Sequence, residues 1–193
     1  MSLPPMQFCS SCGARVALRV PPGDTLSRFV CADCAAIHYQ NPKVVVGCLP
    51  EWEDRVLLCK RAIEPRYGLW TLPAGFLENA ETLVDGALRE TQEEAHARVD
   101  IRELYTVISL PQINQVYMMF RARLVDLDFS AGAESLEVRL FDEREIPWES
   151  IAFRTIARTL RNYFLDRRRG GFALHVSAIE RRSPLTPDLL AAG

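Results

Sequence analysis

From Lys43 onward the apolar positions gather into short strand-like runs. Lys43-Val44-Val45-Val46-Gly47-Cys48-Leu49 and Arg55-Val56-Leu57-Leu58-Cys59-Lys60-Arg61 are joined by the polar segment Glu51-Trp52-Glu53-Asp54, which predicts an antiparallel hairpin. A loop punctuated by glycine and proline, Tyr67 to Gly75, comes next. The period then changes. Leu83, Val84, Ala87, Leu88, Thr91 and Ala95 recur at helical spacing, and Thr82 followed three residues later by Asp85 marks the helix start. Strand-like runs return at Leu104 to Leu110, Gln115 to Leu124 and Leu136 to Phe141, and an amphipathic helix is expected from about Ile151 to Leu165. The order strands, helix, strands, helix predicts an α+β sandwich. No repeat or low-complexity tract interrupts it, and the stretch after Gly170 carries no assignable pattern.

Residues 1 to about 40 are different. They are rich in Cys, Pro and small residues and offer too little apolar surface for a core, so a metal must supply the folding energy. Cys9, Cys12, Cys31 and Cys34 form two Cys-x-x-Cys pairs with 18 residues between them, within the spacing that gives tetrahedral thiolate coordination of Zn²⁺. A disulfide or redox pair is the alternative, and a chain without a secretory signal argues against it. Cys48 and Cys59 stand alone in apolar runs and read as small buried residues. The expected organisation is a zinc ribbon over residues 1–40, a larger domain over 41–170 and an unassigned tail over 171–193.

Composition narrows the partners. At 48% apolar and 25% charged, with a net charge of -2, the chain has an ordinary globular make-up and no global basic field, which argues against a nucleic-acid partner. An anionic substrate must therefore meet local cations. No run approaches the roughly 18 to 20 apolar residues of a membrane span, and Met1-Ser2-Leu3-Pro4-Pro5 lacks the charge and apolar core of a signal peptide. A cytoplasmic protein is the expectation.

The chemistry concentrates in Gly75 to His96. On a helix Glu90, Glu93 and Glu94 lie at i, i+3 and i+4, so their carboxylates share one face and repel unless a cation gathers them. Hard oxygen donors in this number suit Mg²⁺ or Mn²⁺. Gly86, one turn earlier on that face, leaves room for a loop, a metal or a phosphate. A solvated acidic face is the bland alternative.

Gly75, Glu81, Arg89, Glu90, Glu93 and Glu94 match the Nudix (MutT-like) box, G-x5-E-x7-R-E-U-x-E-E-x-G-U with U a bulky apolar residue, at six fixed positions. Thr91 replaces an aliphatic residue and His96 the closing glycine. That position calls for left-handed backbone, which histidine visits more readily than most residues. The resemblance implies an α/β/α sandwich with a mixed sheet and metal-dependent pyrophosphatase activity. It implies Glu90 and Glu94 as ligands of a Mg²⁺ or Mn²⁺ ion, Glu93 as a further ligand or base, the Ala74 carbonyl as a backbone ligand, and Arg89 orienting the cluster through Glu81. Glu134 is the first choice for an additional carboxylate. Arg61, then Lys60, are the candidate phosphate-binding cations, and Trp70 and Phe76 flank the box as candidate stacking residues.

A zinc ribbon before a Nudix domain is shared by NADH pyrophosphatases and by a group that includes the plant chloroplast FAD pyrophosphatase. The NADH-cleaving enzymes carry S-Q-P-W-P-F-P-x-S after the box, where this chain reads Ser109-Leu110-Pro111-Gln112-Ile113-Asn114-Gln115. It is more similar to the second group, through Tyr39 to Gly47, Leu57 to Arg61, Gly68 to Gly75 and Glu134 to Glu137. That resemblance implies cleavage of FAD to FMN and AMP, or of ADP-ribose, by a homodimer. NADH hydrolysis is the alternative. A metabolite-sensing regulator that binds nucleic acid is a reading from another class, disfavoured because every box carboxylate is kept.

Overall fold

The computed structural model describes residues 6–180 of the chain; the opening Met1–Pro5 and the part of the unassigned tail at 181–193 lie outside them. The chain divides into two compact units between Pro42 and Lys43.

In the first unit β1 (Val16–Arg19), β2 (Arg28–Cys31) and β3 (Ile37–His38) form an antiparallel sheet in the order β1-β2-β3. Its apolar content is turned outward: Phe8, Leu18, Val20, Leu26 and Tyr39 are all more than half exposed. Between residues 6 and 42 only Cys9, Pro21, Val30 and Cys31 are buried, so half of what passes for a core is thiol. Apolar burial at roughly 25 cal/mol per Å² cannot hold such a unit together, which leaves a cross-link through the cysteines.

The second unit is an α/β/α sandwich. Its strands are β4 (Lys43–Trp52), β5 (Arg55–Arg61), β6 (Trp70–Thr71), β7 (Ala74–Phe76), β8 (Val99–Leu110), β9 (Gln115–Leu124), β10 (Ser135–Phe141) and β11 (His175–Ala178). Its helices are α1 (Leu83–Ala95) and α2 (Arg154–Arg169). The main path of the sheet runs β10-β5-β4-β9-β8-β11, mixed because β4 is parallel to β9 and β8 to β11. Val46, Cys48, Phe120 and Ala122 on one face pack with Ala87 of α1, and Leu49, Val56, Leu58 and Met119 on the other pack with Ile156, Leu160, Tyr163 and Phe164 of α2.

The expected hairpin forms, with a shorter turn than the polar segment suggested. Glu51 and Trp52 remain in strand and pair with Val56 and Arg55, leaving Glu53 and Asp54 as the turn, with Glu53 at φ 55°. Below those two pairs β4 and β5 separate. The glycine- and proline-marked loop returns into the split: β6 pairs with β5, and β7 with β4. This puts the backbone of residues 70–76 at the level of the sheet, beneath α1.

The stretch left unassigned after Gly170 contains ordered structure. Phe172 stacks on Tyr163 at 5.6 Å, and β11 extends the sheet at the edge of β8. No helix among the described residues is long and apolar enough to cross a membrane.

Candidate active site and zinc centre

Helix α1 is fixed at both ends by its own sequence. Thr82 caps the start: its Oγ1 accepts from Asp85 N at 3.1 Å, and Asp85 Oδ2 accepts from Thr82 N at 3.4 Å. This pair satisfies two amide groups that a helix start leaves open. At the other end His96 takes the left-handed conformation, φ 45° and ψ 26°, as the missing glycine required. Thr91, the other departure from the box pattern, is fully buried, and its Oγ1 donates to Ala87 O at 2.8 Å. The hydroxyl is satisfied within its own helix, so the apolar position accepts it. The space at Gly86 is taken by the box loop and by β4: a Cβ there would lie 2.8 Å from Glu81 Oε1 and 2.9 Å from Val46 Cγ2.

Arg89 spans the acidic face. Its Nε and Nη2 hold Glu81 at 3.0 and 2.7 Å, Nη2 also reaches Phe76 O, and Nη1 donates to Glu90 Oε1 at 2.7 Å and Glu93 Oε2 at 3.0 Å. The hydrogen bonds from Arg89 hold the Glu81 carboxyl down to about 2. Glu94 is outside this fork. It is 5% exposed, and among the described residues the one hydrogen bond to its carboxylate is from Ala74 N to Oε2 at 3.3 Å. Burial, reinforced by the charge of Glu90, pushes its carboxyl up to about 8, with the Ala74 amide and Arg61 opposing. Glu90 is also raised by burial, against the pull of Arg89.

A buried carboxylate without a paired cation is costly unless it is protonated or a cation joins it. The donor set around Glu94 and Glu90 therefore fits a hard divalent ion. Among the described residues, however, only the cysteines already converge as a tight ligand shell; Glu90 and Glu93 are held by Arg89.

Glu134 lies near enough to the acidic face for its charge to act on both Glu90 and Glu94. The segment that carries it closes over the end of α1. Ser130 N donates to Ala95 O at 3.0 Å, Gly132 N to Glu94 O at 3.1 Å, and His96 Nδ1 lies 3.0 Å from Ser130 Oγ. Carbonyls that the helix end leaves open are thereby satisfied. Gly132 is the residue that sequence reasoning missed: a Cβ there would stand 1.8 Å from Glu93 O. Only its position in a small-residue segment, Ser130-Ala131-Gly132-Ala133, hinted at a close approach. Gly132→Ala is expected to destabilise the fold by about 1 to 3 kcal/mol and, by displacing Glu134, to lower turnover by about 10- to 100-fold. Thermal melts and steady-state rates check this, and wild-type turnover in the variant would contradict it.

The two candidate cations part company. Arg61 is buried against the site, with Nε donating to Pro65 O at 3.0 Å and its guanidinium 5.2 Å from the Phe153 ring; its charge is felt at Glu94. Lys60 lies 4.0 Å from Glu137 and 5.8 Å from the Trp70 ring. Trp70 is in the core, edge-to-face on Phe141 at 4.8 Å, rather than at an open stacking surface. Phe76 is 45% exposed, and Lys43 Nζ lies 4.9 Å from its ring centre.

In the N-terminal unit Cys9, Cys12, Cys31 and Cys34 bring their sulfurs within 4.8 Å of one another, with no disulfide among them. Cys9 lies 3.6 Å from Cys34 and Cys12 3.5 Å from Cys31. Despite burial, the amides of Ser11 and Cys12 hold the Cys9 thiol down to about 5. Four sulfurs gathered this way fit a tetrahedral metal ion, and zinc suits the all-thiolate set.

Sequence models of known families agree with this division. Residues 41–161 match the model described as NUDIX domain. The chain belongs to the Nudix family. Residues 7–40 match the model described as Nudix N-terminal, a zinc ribbon. A NUDIX hydrolase from Nitrosomonas europaea of known crystal structure is 65% identical to this Nudix chain, with a TM-score of 0.88 over 91% of this chain and 100% of that one.

Among curated relatives, an ADP-ribose pyrophosphatase from Methanocaldococcus jannaschii is 29% identical over 113 residues, covering 56% of this chain and 67% of the relative. The NAD-capped RNA hydrolase NudC of Vibrio atlanticus is 29% identical over 167 residues, 80% of this chain and 56% of the relative. Nudix hydrolase 19, chloroplastic, of Arabidopsis thaliana is 30% identical over 149 residues, 72% of this chain and 33% of the relative. The Nudix chain thus spans between a third and two thirds of the length of these relatives.

Proposed function

We propose that this Nudix protein hydrolyses the diphosphate linkage of a nucleotide derivative, with FAD or ADP-ribose as substrate, using Mg²⁺ or Mn²⁺ bound at the acidic face of α1. The observation that carries the reading is Glu94, a buried carboxylate raised to about 8 and left outside the reach of Arg89, beside Glu90 and Glu134. Glu90 and Glu94, with the Ala74 carbonyl, would hold the metal. When bound, it neutralises charge on the phosphate oxygens and lowers the pKa of a water. Glu93 or Glu134 takes the proton from the attacking water. Arg61 binds a phosphate oxygen beside the cluster, and Arg89, anchored on Glu81 and Phe76 O, keeps the box loop on the helix. A water oxygen forms the new bond to one phosphorus, the bond from that phosphorus to the bridging oxygen breaks, and two monophosphates leave. Phe76 offers an exposed face for a base or flavin. The working form is a homodimer in the cytoplasm with its ribbon zinc-loaded, and the ribbon and catalytic domain divide near residue 40.

Cleavage of ADP-ribose is supported by the name of the Methanocaldococcus relative. FAD follows from the resemblance over residues 39–47, 57–61 and 68–75. NADH is the second reading, favoured by the Vibrio relative that acts on NAD-capped RNA. Against it stands Ser109 to Gln115, a strand end and a short turn at Pro111–Ile113 without paired aromatics. A regulator that senses metabolites without cleaving them would need no intact carboxylate set.

Comparing kcat/KM for FAD, ADP-ribose and NADH under one metal condition, with products identified, tests the choice. FAD and ADP-ribose are expected to exceed NADH. Pocket-wall differences of about 1 to 3 kcal/mol decide such preferences. A tenfold preference for NADH, or cleavage of nucleoside triphosphates alone, would overturn it.

A further inference from the structure

Arg61 is a buried guanidinium that no carboxylate pairs among the described residues. It is 9% exposed, and among those residues its one side-chain hydrogen bond is from Nε to Pro65 O at 3.0 Å. Both terminal amines are thus left for a ligand. A cation taken out of water is costly until an anion reaches it, and a long side chain tied at one nitrogen keeps rotamer freedom that binding must then remove. The strand end ties Arg61 to the acidic face through the backbone. Ser135 of β10 is in register with Arg61, Ala62 N donates to Glu134 O at 2.8 Å, and Gly132 N of the same segment donates to Glu94 O at 3.1 Å.

The second hold on the guanidinium is Phe153. Its ring centre lies 5.2 Å from the guanidinium carbon, within the roughly 6 Å at which a ring face attracts a cation. Backbone pairing brings the ring there. Arg61 N donates to Leu69 O at 2.9 Å, Lys60 pairs with Trp70 of β6, Ile151 bridges to Trp70, and Ala152 N donates to Trp70 O at 2.8 Å. Phe153 follows at once, half-buried against the core, as the residue that opens α2. Its side chain makes no cap there, although Ser, Thr, Asp or Asn in that place would satisfy one of the open amides. A ring in place of a cap weakens the helix start, and its contact with Arg61 gives it a use.

We propose that Phe153 is a positioning residue for substrate, its ring holding the Arg61 guanidinium where the terminal amines meet a phosphate oxygen. The inference rests on the phosphate-binding role given to Arg61.

The test uses the full-length protein with ADP-ribose and saturating Mg²⁺. Phe153 is replaced by mono-, di- and trifluorophenylalanine, which keep the shape of the ring and drain negative charge from its face. KM is expected to rise with each fluorine, to about fivefold with three, the size of one cation–π contact at a partly buried site, while kcat stays within about twofold. A ring that only fills the core would show no such series. In Arg61→Met, which keeps the stem and removes the charge, KM is expected to rise at least about tenfold, and the fluorine series to become flat. A flat series with Arg61 present, or the same slope in both backgrounds, would overturn the role of Phe153 and leave that of Arg61 standing. No AMP release by the wild type, or an unchanged KM in Arg61→Met, would overturn the reading of the site and the proposal with it. If Arg61→Met does not fold, the series with Arg61 present decides alone: a rising KM supports the proposal and a flat one overturns it.

Discussion

Replacing Glu94 with glutamine is expected to lower turnover by at least about 100-fold at saturating Mg²⁺ while the fold survives. The carboxylate is the most buried of the acidic cluster, and the work assigned to it is gathering a cation against the Ala74 backbone, which a neutral amide cannot do. The same substitution is expected to stabilise the protein when no divalent metal is added. Free glutamate loses its proton near 4.5, and folded Glu94 keeps its proton to about 8. As pH rises through that window the unfolded chain ionises and the folded chain resists, so the stability that protonated Glu94 confers is lost between about pH 4.5 and 8. The advantage of Glu94→Gln over wild type should therefore grow from pH 5 to pH 8, by at least about 1 kcal/mol, and level off above. Denaturant melts at those pH values read the stability, and steady-state assays read the rate. A folded variant with near-wild-type turnover, or a stability difference that shrinks as pH rises, would contradict the role.

The second large effect is expected in the N-terminal unit. Cys12→Ser should reduce bound zinc from one ion per chain to near none and collapse the fold of residues 7–40. That unit buries almost nothing apart from Pro21, Val30 and two of its cysteines, whereas zinc held by four thiolates supplies an apparent free energy of about 10 to 16 kcal/mol. Elemental analysis of protein purified without chelators measures the metal, and amide NMR dispersion in this unit measures the fold. No zinc in the wild-type protein, together with a disulfide within the two pairs, would defeat the assignment.

Much of this is legible in the sequence. The cap at Thr82 and Asp85, the period of α1 and the demand for left-handed backbone at residue 96 are local properties, and local properties are written in short stretches of sequence. The cysteine spacing was legible for the same reason: a metal needs four donors at one point, and 18 intervening residues form a ribbon that delivers them. Less legible was whatever depends on distant partners. Strand β11 is four residues long and owes its existence to parallel pairing with β8, some seventy positions earlier, so nothing in His175 to Ala178 announces it. Gly132 matters because of Glu93 O, a contact across 39 positions. Sequence ranks Arg61 ahead of Lys60 without saying where either points; the strand turns them apart, Lys60 toward Glu137 and Arg61 to where its charge is felt at Glu94. Trp70, beside a functional loop, went to the core because the split between β4 and β5 carries that loop into the sheet.

The central claim is that the acidic face of α1 is a metal site for breaking a diphosphate. Its most direct test is the initial rate of AMP release from ADP-ribose and from FAD by the full-length protein, measured against added Mg²⁺ or Mn²⁺. The account predicts no release without divalent metal, a saturable rise as metal is added, and loss of that rise in Glu90→Gln and Glu94→Gln. Release of AMP that is independent of metal, or a metal response that both variants retain in full, would contradict it.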